Sequence, residues 1–239
     1  MKKIFGKMAI FGIIALSALA SAGCAAGPYR TEEMDVSGFD RISIETFGEI
    51  LIKQTGEESL TVEAPRDYLR YIQAEVDGDT LIIRARRGFF GTPARRVTYT
   101  ITVDELEEIY LSGAGMVDVY ELDTDDLYVS LSGAGSIEID NLQADELEVN
   151  LASAGAIVIA GEADKQEVNL SGVGSYEAGD LRTDETRIDL SGAGSAVVWA
   201  EDYLDVNVSG VGSVAYYGDN PEVRQSVSGL GSVNARGER

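Results

Sequence analysis

Apolar and polar residues alternate along most of the chain, in short runs separated by small polar residues. The stretch FDRISIETFGEILIKQTG alternates over Ile42 and Ile44 and again over Ile50 and Ile52. A period of two places every second side chain on one face of a strand, so each run predicts a β-strand with one buried face. The stretch PRDYLRYIQAEV also has helical spacing, and leaves open a short helix or a connection between strands.

From about residue 104 the chain repeats a four-residue motif, Ser-Gly-x-Gly in six copies and Ala-Ser-Ala-Gly in one, in which x is Ala, Val or Leu. Seven copies follow one another at steps of 20, 20, 19, 20, 18 and 19 residues. A fixed period of this length is typical of a solenoid, in which each repeat contacts only its neighbours. The copies begin at Ser112, Ser132, Ala152, Ser171, Ser191, Ser209 and Ser228.

The alternation inside each repeat indicates the kind of solenoid. In the second copy Leu127, Val129 and Leu131 precede the motif, and Ile137 and Ile139 follow it. Two or three short strands and tight turns in about 20 residues make one coil, stacked about 4.8 Å from the next. We therefore predict an all-β fold, a parallel β-helix-like solenoid of about seven coils, preceded by an N-terminal β-rich segment. A leucine-rich repeat lacks support because no Asn or Cys ladder is evident, whereas an antiparallel sandwich or barrel remains an alternative.

The motif SGAG invites a ligand-binding interpretation that its context does not support. A dinucleotide-binding loop needs a third glycine and a following helix, and a calcium β-roll needs an aspartate and a nine-residue period. Each copy is instead followed by another strand. We interpret the motif as a corner of the coil, where glycine accepts positive φ or lets two backbones come close. Seven equivalent sites favour architecture over catalysis.

The N-terminus predicts export. Lys2, Lys3 and Lys7 precede the apolar run Met8–Ala20, which is short for a membrane span and has the flanks of a signal peptide. Residues 1–23 are therefore a predicted signal peptide, and residues 24–36 a predicted tether.

Two cleavage sites compete after the apolar run. Ala20-x-Ala22 fits ordinary signal peptidase, whereas Ser21-Ala22-Gly23-Cys24 resembles the bacterial lipobox with serine in place of the usual aliphatic residue. Cys24 is the single cysteine of the chain, and an unpaired thiol is unusual in an exported protein. We therefore predict that Cys24 is lipidated and that its lipid tethers the chain to a membrane.

Charge and composition limit the function. The chain has 19 basic and 41 acidic residues and a formal net charge of −22 at pH 7, which argues against nucleic acid as a partner. It contains no histidine, so Ser-His-Asp and Cys-His catalysis and histidine metal sites are excluded. We predict no catalytic residues, no metal and no cofactor. The many acidic turn residues fit solvated loops, with weak calcium binding or a glycoside-hydrolysing carboxylate pair as alternatives.

One basic stretch, RARRGFFGTPARR, departs from the acidic balance. It predicts a hairpin with an aromatic tip, which could dock a protein partner, an acidic glycan or a lipid surface. Alternatively, the loop folds over the end of the coil stack and its arginines meet acidic turns. The candidate binding residues are Arg84, Arg86, Arg87, Phe89, Phe90, Arg95 and Arg96.

Three quoted stretches carry a family resemblance. SGFDRISIETFGEILIKQTGEESLTVEAP, then VDGDTLIIRAR, then LSGAGSIEI-type units resemble the bacterial head GIN domain of putative autotransporter adhesins over roughly residues 36–235. The resemblance implies an exported or lipid-anchored all-β protein of right-handed β-helix character, with no established activity and no catalytic residues to carry over. Residues 37–103 would form the N-terminal β segment, or cap, of this domain, and residues 104–235 its β-helical repeats.

We therefore expect an exported, lipid-anchored cell-envelope protein that acts as a non-catalytic binding, adhesion or structural module. The alternatives are a polysaccharide-acting β-helix enzyme and an envelope sensor or assembly partner; a secreted or periplasmic soluble location is the alternative to the anchor. The expected partners are the membrane, through the lipid, and a protein or glycan. Few residues follow the last motif to cover the end of the stack, so we expect either charge or self-association to protect that end.

Overall fold

The computed structural model describes residues 28–86 and 96–239. Strands make up 72% of it and helix only 2%, so the predicted all-β class is confirmed. The predictions for the signal peptide and Cys24 lie outside the described residues, as does the tip of the predicted hairpin.

The N-terminal part contains seven strands and one helical turn. Its first strand lies within the predicted tether, residues 24–36, and adds an edge strand to the sheet, antiparallel to the strand Ser59–Pro65. The stretch PRDYLRYIQAEV, for which the sequence predicts a short helix or a connection between strands, forms one helical turn followed by a strand. The elements are β1 Tyr29–Met34, β2 Arg41–Glu45, β3 Phe47–Gln54, β4 Ser59–Pro65, α1 Arg66–Leu69, β5 Ile72–Asp77, β6 Thr80–Ala85 and β7 Thr98–Val103.

The repeats form ten further strands, several of which bend around the coil. These are β8 Glu108–Leu111, β9 Ala114–Val119, β10 Leu122–Leu131, β11 Ser136–Leu151, β12 Ala156–Leu170, β13 Ser175–Leu190, β14 Ser195–Val208, β15 Val211–Tyr217, β16 Glu222–Val227 and β17 Leu230–Gly237.

The repeats stack as parallel coils and make a β-solenoid of about six turns. The predicted number was about seven, because it counted the corners, and seven corners bound six complete intervals. Each full coil has three faces. In the second copy the first face is residues 127–131, the second face is 136–139 after the SGAG corner, and the third face is 142–144. Each face pairs in parallel register with the same face of the next coil. The predicted stacking of like on like is therefore confirmed.

The N-terminal strands enter this stack out of chain order. β2 pairs in parallel with β6 on one side and β8 on the other, and β3 pairs likewise with β7 and β9. The layer of β6 and β7 is thus farther from the repeats than the layer of β2 and β3. β4 and β5 then close the N-terminal end as antiparallel strands.

The core is a set of apolar ladders inside the solenoid. Inward positions of the first and second faces stack on their equivalents in the next coil, as the alternation predicts, with a register shift after Val158 on the second face. Complete burial of such side chains contributes about 1.5–3 kcal/mol each. One first-face ladder consists of Ile42, Ile109, Val129, Val149, Val168, Ile188 and Val206, all at most 1% exposed.

The motif glycines are required for a different reason than positive φ. The described glycines with positive φ lie outside the seven motifs. A Cβ on Gly133 would instead meet the carbonyl oxygen of Gly113, and a Cβ on Gly135 that of Gly115. Close backbone approach between coils, which was the second of the two predicted reasons, is therefore the constraint at this corner.

The two ends of the stack differ. At the N-terminal end Tyr68 and Leu69 of α1 are buried next to β4 and β1. At the C-terminal end the last coil exposes side chains that are buried elsewhere: Val227 is 43% exposed, whereas Val208, the equivalent residue one coil earlier, is 0% exposed.

Candidate binding surface

The base of the predicted Arg–Phe hairpin is tied to the solenoid. Arg84 on β6 forms an ion pair with Glu75 on β5, and Arg96 Nε lies 3.6 Å from Glu49 Oε2. The backbone N–H of Arg86 donates to the carbonyl oxygen of Tyr71 at 2.8 Å. These contacts place three of the predicted residues at one end of the fold. The other four, Arg87, Phe89, Phe90 and Arg95, lie outside the described residues, and the binding role of the hairpin stays a prediction.

Acidic residues line the turn between the third and the first face. A shallow cleft of about 260 Å³ runs along this turn, with Asp125, Asp145, Asp164 and Asp184 from successive coils on its wall. Within residues 28–86 and 96–239, no three His, Cys, Asp or Glu side chains converge as metal ligands would. The same described part contains no helix long and apolar enough to cross a membrane.

A second acidic group lies on the outside of the second face. Partial burial raises the pKa of Asp118, and the negative charges of Glu138, Glu49 and Asp140 raise it further. Repulsion among neighbouring carboxylates is typical of a surface that attracts cations or excludes anions. It argues against an acidic ligand on this face.

The outside of the first face has a different chemistry. Hydroxyl, amide and carboxylate side chains occupy the same outward position in five successive coils, in strict register. We call these residues the polar row. Its members are Ser130, Asn150, Asn169, Asp189 and Asn207.

Two tyrosines lie at the N-terminal end of the polar row. Tyr110 is in register with Ser130, and Tyr128 occupies the adjacent outward position on the same strand. Ser132 Oγ donates a hydrogen bond to Tyr110 Oη at 3.0 Å, and Asn150 Nδ2 donates one to Tyr128 Oη at 3.4 Å. Ser130 is enclosed beside these rings and is only 4% exposed. The hydrogen bonds hold both half-buried rings in place at the surface.

At the other end of the row one amide bonds the single carboxylate. Asn207 Nδ2 donates to Asp189 Oδ1 at 3.0 Å. Each asparagine offers two donors and one acceptor oxygen, and the aspartate offers acceptors only. The row therefore presents donors and acceptors about every 4.8 Å, the spacing of adjacent strands.

The sequence contains a signal for the polar row that the prediction did not use. The residues before the motif read YVSL, EVNL, EVNL, RIDL and DVNV in successive copies. The alternation predicts the buried valines and leucines of each copy, and one residue between them faces outward. Its restriction to Ser, Asn and Asp marks the row.

Comparison with known proteins places the chain in a family. Residues 38–220 match the family model described as "putative auto-transporter adhesin, head GIN domain". The chain belongs to this family. The resemblance of the quoted stretches to the head GIN domain is thereby confirmed. No curated protein matches the chain.

Solved structures support the same fold. A protein described as a putative adhesin from Bacteroides fragilis NCTC 9343 is 28% identical, with a TM-score of 0.84 over 87% of this chain and 97% of that one. A putative lipid binding protein from Parabacteroides distasonis ATCC 8503 is 24% identical, with a TM-score of 0.69 and coverage of 87% and 97%. A putative adhesin from Parabacteroides merdae ATCC 43184 is 19% identical, with a TM-score of 0.68 and coverage of 87% and 96%. At less than 25% identity, the last two show a shared fold alone.

Proposed function

We propose that the protein is an exported, lipid-anchored cell-envelope protein whose solenoid acts as a non-catalytic binding or adhesion module. The signal-like N-terminus, Cys24 and membership of a family described as adhesins support this proposal. A long and continuous outer surface fits a binding function better than a reaction centre, because every coil repeats nearly the same groups.

The polar row is the observation that carries the binding function, and it favours a linear glycan as the ligand. Amides and carboxylates that donate and accept at regular intervals match a chain of hydroxyl groups. Tyrosine rings add flat apolar surface with a polar edge. The coil spacing is comparable with the rise of one sugar residue in an extended polysaccharide, so successive coils can address successive sugars.

Binding is tested with the purified full chain against neutral and acidic polysaccharides. Asn169→Ala combined with Asp189→Ala is expected to weaken binding about tenfold or more, since each loses hydrogen bonds to the ligand. The measurement is isothermal titration calorimetry or a glycan array, with product analysis for turnover.

The matched control is Glu138→Ala combined with Glu177→Ala, which changes two exposed outward residues of the second face. It should leave glycan binding unchanged. Equal losses from both double variants would contradict a first-face site. Cleavage of the glycan would favour the alternative of a polysaccharide-acting enzyme, and binding of phosphatidylglycerol vesicles without glycan binding would favour a lipid ligand.

The anchor is tested by replacing the predicted lipidated residue. Cys24→Ala is expected to move nearly all of the protein from the membrane fraction to the soluble or secreted fraction, because no thioether to lipid can form. Cell fractionation followed by immunoblotting measures the partition. Ala26→Ser, which keeps the thiol, is the control and should remain membrane-bound. Unchanged partition of the Cys24→Ala protein would refute the anchor while leaving the binding module untouched.

A further inference from the structure

The C-terminal coil, β16 and β17, is the last coil among the described residues. Leu230 holds the third position of the last motif, which points to solvent in every coil, and it is the most exposed of the large side chains there, at 82% against 65% for Val173 and 56% for Val211. Val223 and Val233 continue interior ladders and are only partly buried, because no further coil lies beneath them within the described residues. The coil therefore presents interior side chains to solvent, unlike the covered N-terminal end.

The backbone of this coil also has a free edge. Among the described residues, β16 pairs only with β14, and β17 only with β15. Ser228 and Leu230 donate their N–H groups to the coil before them. Because successive residues of a strand point opposite ways, the intervening residues direct their N–H and C=O groups out of the stack. On β16 these are Val223, Gln225 and Val227; on β17 they are Gly231, Val233 and Ala235.

The charge of this end differs from that of the molecule as a whole. Residues 221–239 contain three arginines and two glutamates, whereas the whole chain carries a formal charge of −22. Two copies of so acidic a protein repel each other over most of their surface. The C-terminal coil is a place where they can approach without that penalty, and it carries both signs of charge.

We propose that the C-terminal coil docks onto the C-terminal coil of a second copy of this chain, around a two-fold axis through the last corner at Gly229. A rotation about this axis lays β16 of one copy antiparallel to β17 of the other, and the reverse. Only one kind of interface is needed, and it closes on itself. The dimer completes both free edges at once.

The register of this pairing follows from the backbone directions. With Gly229 on the axis, three residues of β16 face three residues of β17 of the second copy through their backbone N–H and C=O groups. The pairs are Val223 with Ala235, Gln225 with Val233, and Val227 with Gly231. These are the hydrogen-bonded pairs of an antiparallel ladder. On the outer surface the same register sets Glu222 opposite Arg236 of the second copy, which adds an opposite-charge cross-strand pair on each side of the axis.

The size of the interface predicts a weak and reversible dimer. The two strands contribute 6 and 8 residues per copy, fewer than the roughly 20–30 residues a side of a standard interface. Gln225 also brings an amide to an interior position that Val206 occupies one coil earlier. We therefore expect the dimer to form at high concentration and to dissociate on dilution.

Cross-linking tests the register directly. Ser226 and Ser232 of the second copy form an outward pair without hydrogen bonds, in which Cα atoms lie about 4.5 Å apart, close enough for a disulfide. The variant carrying both Ser226→Cys and Ser232→Cys is expected to oxidise to a covalent dimer. Either substitution alone places a serine opposite the new thiol, so each single variant should give only a background level of covalent dimer. The two N-terminal tethers lie at opposite ends of the proposed dimer. The sample is therefore the full chain in detergent, in which the two lipids need not share one membrane.

Charge reversal provides the second test, by sedimentation velocity across a concentration series. Arg236→Glu places two negative charges opposite each other at both symmetry-related positions of the dimer. It should therefore raise the dimer dissociation constant about tenfold. Adding Glu222→Arg in the same chain should restore it. Leu230→Ser should weaken the dimer, whereas Val173→Ser, at the same motif position in mid-stack, should not. A monomer at every concentration, a ladder of oligomers beyond the dimer, or no rescue by the double reversal would each overturn the proposal.

Discussion

Gly192→Ala is expected to destabilise the protein by about 2–4 kcal/mol, because the new methyl group has no space between two coils. Its Cβ would meet the carbonyl oxygen of Gly172 and lie 2.7 Å from that of Ser171. Both contacts are with backbone, so neither can be relieved by a side-chain rotation. The corner must open instead.

The third copy of the motif shows what opening a corner does. It has Ser153 at the position of Gly192, and the structure shows neither of two backbone bonds found in the fifth copy. In that copy Gly192 N–H donates to Leu170 at 3.2 Å and Ala193 N–H to Gly172 at 2.9 Å. Two lost hydrogen bonds cost about 2 kcal/mol, and displacement of packed side chains adds to this.

The measurement is chemical denaturation, with the shift in midpoint converted at the common slope. The matched control is Ala193→Val, one residue further along the same corner. Its side chain points to solvent, and Val173 and Val211 hold the same position in sister coils. This control should change stability by less than about 0.5 kcal/mol. A Gly192→Ala protein as stable as the control would show that close backbone approach is not the reason for the glycines.

The fold was largely predictable because two periods act together. The period of two determines which side chains face inward, and the period of about 20 determines which residues stack. What the sequence does not contain is the order of the N-terminal layers. β2 pairs with β6 and β8 through apolar residues of the same size and type, such as Ile42 with Leu81 and Ile109. Alternation alone therefore cannot distinguish the two partners from any other apolar strand.

The candidate site was harder to predict than the fold. The Arg–Phe hairpin is a candidate site by its composition, because arginine clusters are exceptional in an acidic chain. In the structure, however, Arg84 is paired with Glu75, and Arg96 with Glu49. The polar row consists of ordinary residues such as Asn169, which become a surface only once the coils are in register. The polar row arises only when the coils stack, so it does not show in the sequence as a cluster of unusual residues.

A polar cluster around Gln166 lies in the solenoid interior, and the last prediction concerns it. Gln166 is 2% exposed and replaces the leucine that Leu147 provides one coil earlier. Its Nε2 donates to Thr183 and Thr186 at 3.0 Å each, and its Oε1 accepts from Tyr176 Oη at 3.0 Å. Thr183 Oγ1 also donates to the carbonyl oxygen of Trp199 at 2.7 Å. Every group of the amide thus has a partner in the core.

Tyr176→Phe is expected to cost about 1–3 kcal/mol, because it leaves the buried Oε1 of Gln166 without its donor. Burial raises the pKa of Tyr176 far above its ordinary value, so the hydroxyl keeps its proton and remains a donor across the neutral range. The ring itself is retained, so the loss measures the hydrogen bond and not the packing. Thermal or chemical denaturation at pH 7 gives the value.

The double variant Gln166→Leu with Tyr176→Phe is the decisive comparison. It removes both partners of the bond and leaves Thr183 and Thr186 in contact through their hydroxyls at 2.7 Å. Leucine occupies this ladder position one coil earlier, at Leu147, and two coils later, at Leu204. We therefore expect the double variant to be more stable than the sum of the single losses predicts, with a coupling of about 1–2 kcal/mol. Strictly additive losses would mean that the tyrosine acts through its ring alone, and that the polar cluster is not a bonded unit.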